Sequence, residues 1–184
     1  MWAMAIVLIL VLGLGLALML IYNGLVRARQ MVAEGWSGVE VQLKRRSNLI
    51  PNLVETVKGY LTHEQSVLED VTRLRSQCQA ANDIPQKAKL ESALGRSLSG
   101  LLAVAENYPD LKATTNFSQL QDQLADIEDQ IQLARRYYNG AVRNLNIKVE
   151  SFPANLVAGT FGFETAQFFE IESPEDRAVP KVQF

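Results

Sequence analysis

Between Trp2 and Tyr22 the chain reads WAMAIVLILVLGLGLALMLIY, without a charged residue. At about 1.5 Å per residue an α-helix of this length matches a hydrocarbon core of roughly 30 Å. A cleaved signal peptide begins with basic residues and has a shorter apolar centre. Here no Lys or Arg precedes the run. A chain of this size does not readily surround so uniformly apolar a helix with protein. The one cysteine, Cys78, lies far from any lipidation position. The expectation is a single transmembrane helix that stays attached to a soluble body. Arg27, Arg29, Lys44, Arg45 and Arg46 follow the span and only the α-amino group precedes it. The positive-inside tendency therefore puts the N-terminus outside and the body in the cytoplasm.

Removing the span leaves about 160 of the 184 residues, enough for one domain with one core. A formal net charge of −2 offers nucleic acid no basic surface. One Cys excludes an internal disulfide framework, and one His argues against most metal chemistry.

Beyond the span, apolar residues recur at helical spacing. Leu25, Val32, Trp36, Val39 and Leu43 form a first stripe, fading at Lys44-Arg45-Arg46, which reads as a solvated helix C-terminus. Ser47-Asn48-Leu49-Ile50-Pro51 is the first expected turn, with a kink in one continuous helix as the alternative. A second stripe follows at Leu53, Val57, Tyr60, Val67, Val71, Leu74, Cys78 and Ala81, with Glu64 as its polar exception. Cys78 reads there as a small buried hydrophobe, since nothing nearby in sequence lowers a thiol pKa. Asn82-Asp83-Ile84-Pro85 is a turn that starts the next helix.

The third stripe holds Leu90, Leu94, Leu101, Val104 and Tyr108, with Gly95 and Gly100 as candidates for close helix approach. Tyr108-Pro109-Asp110 ends it, and Leu111 to Thr115 reads as a linker. Phe117, Leu120, Leu124, Ile127, Ile131, Ala134, Tyr138, Ala141 and Leu145 then alternate steps of three and four until Phe152-Pro153. Sustained spacing of this kind implies left-handed packing of long helices.

Four helical runs with short connections pack most economically up, down, up, down, so the fourth returns toward the membrane. It would deliver a Phe-rich segment there. Phe152, Leu156, Val157, Phe161, Phe163, Phe168 and Phe169 are the candidate contact residues, touching lipid, covering the bundle or meeting a neighbouring subunit. From Ser173 to Phe184 the chain is polar with two prolines and reads as a flexible tail. The hexapeptide Tyr22-Asn23-Gly24-Leu25-Val26-Arg27 reappears as Tyr138-Asn139-Gly140-Ala141-Val142-Arg143 with one difference, which suggests similar packing on the first and fourth helices.

Chemical motifs fail on inventory. His63-Glu64 lacks the second imidazole of a zinc-protease helix, since Val67 stands four residues on, and Tyr60 stands where a di-iron Glu would. Gly13 and Gly15 lie inside the span, where Gly13 and Ala17 have the spacing of a helix contact instead. Asp122, Asp126 and Asp129 share a helix face with Glu128 close by, and read as a solvated face rather than a cation site. No catalytic residue, metal site or cofactor is expected.

The landmarks together resemble the LemA family of bacterial membrane proteins. They are Tyr22-Asn23, Leu25-Val26, Trp36, Gln42 to Arg46, Leu49 to Tyr60, His63-Glu64, Glu106 to Lys112, Ala134-Arg135-Arg136, Tyr138-Asn139, Phe152-Pro153 and Phe161-Gly162-Phe163. The resemblance implies one N-terminal span and an antiparallel helical body; the expected location is the bacterial inner (cytoplasmic) membrane, with the N-terminus outside and the body on the cytoplasmic side. It implies no catalytic activity, and the family's relatives include proteins associated with magnetosome membranes.

The expected architecture is all-α: a transmembrane helix over 1–22, an elongated antiparallel four-helix bundle over 23–151, an aromatic segment over 152–172 and an irregular tail over 173–184. The expected function is a membrane-anchored, self-associating scaffold or adaptor that organises protein partners or the bilayer. The alternative is an accessory subunit of a membrane protease or quality-control complex. Expected partners are the lipid bilayer, further copies of the chain, and unidentified membrane or cytoplasmic proteins, but not nucleic acid.

Overall fold

The computed structural model describes residues 1–61 and 64–170; His63 and the tail over 173–184 lie outside them. Among the described residues every regular element is a helix and no strand occurs. In chain order they are α1 (Trp2–Lys58), α2 (Gln65–Ala80), α3 (Ile84–Ala105), α4 (Pro109–Lys112), α5 (Thr115–Glu150) and α6 (Ala154–Phe161). The chain divides into two compact units. The first holds Met1–Glu40 with Leu133–Gln167, the second Val41–Gln132 with the described residues from Phe168 to Glu170. Helices α1 and α5 each supply residues to both.

The apolar run opens α1 and builds no core: its window of mean hydropathy 3.1 contains no buried residue. It is one helix long and apolar enough to cross a membrane. Its character differs from the rest of α1, which buries Leu25, Ala28 and Val39 in the first unit and Leu43, Ile50, Leu53 and Val57 in the second.

The expected turn at Ser47–Pro51 does not form. Helix α1 runs 57 residues with Pro51 inside it. Proline has no N–H, so the carbonyl of Ser47, four residues back, loses its helical partner. Arg75 of α2 supplies the replacement, donating from Nε to the Ser47 carbonyl at 2.8 Å, while Gln79 donates to the Ser47 hydroxyl at 2.9 Å. The helix thus passes through its proline because a neighbour satisfies the freed acceptor. It follows that Lys44-Arg45-Arg46 is no helix C-terminus; Lys44 and Arg45 are exposed, but Arg46 is buried.

The break comes later instead. Helix α1 stops at Lys58, Gly59 and Tyr60 turn, and Leu61 is buried before α2 starts at Gln65. The continuous helix expected from Leu53 to Ala81 is therefore divided, and Tyr60 faces solvent. The turn before α3 matches expectation. Asp83 is its N-cap, accepting from the Gln86 N–H at 2.7 Å, with Pro85 in the first turn. The linker from Leu111 to Thr115 is partly structured, since α4 buries Leu111 completely.

In the second unit Ile50, Leu53, Val57, Leu61, Leu68, Val71, Cys78, Leu94, Leu98, Leu101, Ala105, Leu111, Phe117 and Leu124 form one continuous core. The α5 stripe is inward along its whole length: Phe117, Leu124, Ile127, Ile131, Tyr138, Ala141 and Leu145 are buried, and Leu120 and Ala134 are half-buried. In the first unit α1 approaches α5 tightly at Gly35, where an added Cβ would stand 3.0 Å from the Tyr138 Cα and 3.1 Å from the Tyr137 ring. Gly95 and Gly100, expected to permit close approach, do not: a Cβ on Gly100 would meet open space, and one on Gly95 only the end of Arg46 at 3.7 Å.

Candidate functional site

The first unit gathers aromatic side chains where the apolar run of α1 ends. Tyr22 meets the ring of Phe161 edge-on at 5.0 Å and that of Phe163 at 5.7 Å between centroids. The Arg29 guanidinium lies over Phe163 at 5.0 Å. Beneath them Leu25, Val157, Ala158 and Phe163 form a small core with Ile21, Val26 and Val149 against it.

Helix α6 ends because Gly162 adopts φ +68°, a left-handed conformation that side chains with a Cβ resist. Its N–H and that of Phe163 both bond back to the Ala158 carbonyl, so the chain reverses and Phe163 turns inward. Asn146 fastens the strand of chain that follows, exchanging hydrogen bonds of 2.8 and 3.0 Å with the Ala166 backbone. The Tyr138 hydroxyl donates to the Gln167 carbonyl at 2.7 Å, and burial holds its pKa above the ordinary value.

The seven candidate contact residues therefore divide. Val157 and Phe163 are buried in the first unit, whereas Phe152, Leu156 and Phe161 stand 80%, 63% and 60% exposed. Phe169 is buried and Phe168 half-buried, and both belong to the second unit. The aromatic segment contains the eight-residue α6, whose inward face is Val157 and Ala158.

The second unit holds a different arrangement, which sequence reasoning missed. Arg46, 2% exposed, bonds the Glu91 carboxylate at 2.5 Å, the Glu91 carbonyl at 3.2 Å and the Glu128 carboxylate at 2.7 Å. One guanidinium on α1 so fastens both α3 and α5. Its fixed fork suits two carboxylates at once, although its Nε is buried without a hydrogen-bond partner among the described residues. Cys78 stands close to this group. Burial, then the negative charge of Glu91, push its thiol up to about 12, which makes it an inert filler as expected.

A signal for Arg46 existed. The buried positions 39, 43, 46, 50, 53 and 57 alternate steps of four and three without interruption, so the stripe carries Arg46 inward and carries the helix through Pro51. Glu91 likewise lies in register with Ala88, Leu94 and Leu98.

Elsewhere Glu64 accepts from the Tyr108 hydroxyl at 2.7 Å, a bond that raises the Tyr108 pKa. Asp122, Asp126 and Asp129 are exposed, and no group of His, Cys, Asp and Glu suited to a metal occurs among the described residues. A polar cleft of about 240 Å³ is lined by Asn52, Thr56, Asn116, Gln119, Leu120 and Gln123. It offers amides and a hydroxyl but no titratable group.

A model of the LemA family matches residues 35–184. The chain belongs to the LemA family. It is also similar to Magnetosome protein MamQ 2 of Paramagnetospirillum magneticum, 25% identical over 187 residues, covering 88% of this chain and 69% of that protein. Magnetosome protein MamQ of Magnetospirillum gryphiswaldense is 21% identical over the same length and shares. Protein LemA of Metamycoplasma hominis is 26% identical over 154 residues, covering 83% of this chain and 70% of that protein. None of these names is that of an enzyme. The match to the LemA family begins after the apolar run, at Gly35, and takes in Arg46, Glu91, Glu128 and α6.

Proposed function

We propose that this LemA-family protein is a membrane-anchored helical scaffold, self-associating, with the span crossing the inner membrane and the body on the cytoplasmic side. One observation carries the reading: the helix that is long and apolar enough to cross a bilayer continues unbroken to Lys58 and contributes core residues to each unit. A body built on the same helix as its anchor is held at the bilayer without a flexible tether, as suits a protein that positions partners. Contacts along the long helices support an antiparallel four-helix bundle. Gly24 lies beside Lys148, Gly35 beside Tyr138, Arg46 beside Glu128, so that numbers rise on α1 as they fall on α5. Arg27 and Arg29, both exposed just past the span, support the cytoplasmic orientation. The magnetosome name of two relatives accords with a structural role in an assembly.

Washing membranes with alkaline carbonate and then sizing the detergent-extracted full chain tests this. Retention in the membrane and a monodisperse homo-oligomer are expected. Release by carbonate overturns the anchor, a bare monomer overturns self-association, and a stoichiometric protease in the particle replaces scaffold with accessory subunit.

A further inference from the structure

Helix α6 is not merely a lid on the first unit. Its inward residues pack on the turn of α1 where the apolar run ends, against Ile21, Leu25 and Val26, and Tyr22, the last residue of that run, touches Phe161. Ile21 and Leu25 are one helical turn apart, about 5.4 Å along the axis. Each headgroup layer of a bilayer is roughly 5–7 Å deep. If α1 crosses the membrane as proposed above, α6 is consequently held at headgroup depth.

The residues α6 and its entry turn expose are of the kind that depth accommodates. Phe152, Leu156 and Phe161 are large, apolar and mostly uncovered by protein, and aromatic side chains are enriched at membrane–water interfaces. Their neighbours Val157, Ala158 and Phe163 already fasten the segment, so no further ordering is required for the exposed three to meet lipid.

We infer that Phe152, Leu156 and Phe161 form an interfacial membrane contact, a second attachment that seats the first unit on the headgroup–acyl boundary beside the emerging span. The occupant is the bilayer surface. A second copy of the chain on this patch, or plain solvent, are the outcomes that oppose it. The span alone leaves α1 free to tilt and rotate; a short apolar helix engaged beside it fixes which side of α1 faces the lipid. The inference rests on the proposed anchoring.

The test uses the full chain in vesicles of phosphatidylethanolamine and phosphatidylglycerol, with Cys78→Ala and one nitroxide at a time on Leu10→Cys, Phe152→Cys, Leu156→Cys or the exposed Gln132→Cys. Accessibility to oxygen and to a water-soluble nickel complex is measured at each. Expected at Phe152 and Leu156 is a loss of nickel access and a gain of oxygen access relative to Gln132, to values between those at Gln132 and Leu10. Aqueous values at Phe152 and Leu156 with lipid values at Leu10 overturn the contact and leave the anchor standing. Aqueous values at Leu10 overturn the anchor itself. Spin–spin broadening at Leu156, with both probes excluded, assigns the patch to a second copy and also overturns the inference. Circular dichroism matching the unlabelled chain confirms that each labelled variant is folded.

Discussion

Tyr138 in the first unit and Arg46 in the second are almost equally enclosed, at 1% and 2% exposure, and each carries polar atoms into the interior. They are accommodated differently. The Tyr138 hydroxyl is neutral, has one proton to place, and places it on the Gln167 carbonyl. Arg46 brings a full charge and five N–H donors; it reaches two carboxylates and a carbonyl through its two terminal nitrogens, while its Nε has no hydrogen-bond partner among the described residues. A neutral buried hydrogen bond contributes about 1 kcal/mol, whereas a buried charge is tolerable only with its partner present. The first unit should therefore respond gently to polar changes, and the second sharply.

The largest effect should come from placing a charge at a buried apolar position of the second unit. Ile127 and Leu124 are 5% and 6% exposed. Ile127→Asp or Leu124→Asp should cost about 5 kcal/mol or more and abolish the cooperative thermal transition in circular dichroism. Asp122→Asn, one turn away on the exposed face, should leave the transition in place.

Next is the existing charge. Arg46→Ala leaves Glu91 buried alone and should cost about 3–5 kcal/mol in urea unfolding. Removing both partners with Arg46→Met and Glu91→Met should recover most of that loss, because Glu128 is 42% exposed and stays solvated. A double variant as unstable as Arg46→Ala alone would show that the guanidinium acts through its contact with the Glu91 carbonyl rather than through charge pairing.

Cys78 tests the same region through pH. An unfolded thiol loses its proton from about pH 9 and the folded one holds it to about 12. Between these values the folded state binds more protons, so stability falls as pH rises. The contribution is complete below pH 9 and is lost progressively as pH rises from there toward 12. The melting temperature of Cys78→Ala should accordingly decline less steeply over that interval than that of the parent chain. Parallel decline would show the thiol to be hydrated.

The same contrast explains what could be seen from residues alone. The α5 stripe was visible from Phe117 to Leu145 because apolar side chains and burial coincide there. Asp83 and Pro85 marked the start of α3 because capping is local chemistry. Pro51 misled, since its effect on α1 depends on Arg75, distant in sequence, which takes up the freed Ser47 carbonyl. Arg46 and Glu91 were passed over for a related reason: each is polar, and only the opposite charge from another helix makes its inward position tolerable. In the aromatic segment, composition does not say which residues turn inward. That division follows from the reversal at Gly162, which sends Phe163 into the core and leaves Phe161 outside.

The gentlest prediction concerns the first unit's own constraint, which is steric rather than electrostatic. Alanine normally stabilises a helix over glycine by roughly 0.5–1 kcal/mol. At Gly100, where an added Cβ meets open space, Gly100→Ala should realise that gain. At Gly35 the new atom would press on the Tyr138 Cα at 3.0 Å and the Tyr137 ring at 3.1 Å. The ring can turn aside, but the backbone atom moves only with α5. Gly35→Ala should hence destabilise by about 1–3 kcal/mol, as overpacking does, despite the better helix propensity. The sign of the difference between the two variants, read from their urea midpoints at equal slope, decides the matter. If both are stabilised alike, α1 and α5 separate readily in the first unit, and the aromatic contacts of Tyr22, Phe161 and Phe163 rather than the close approach at Gly35 hold it together.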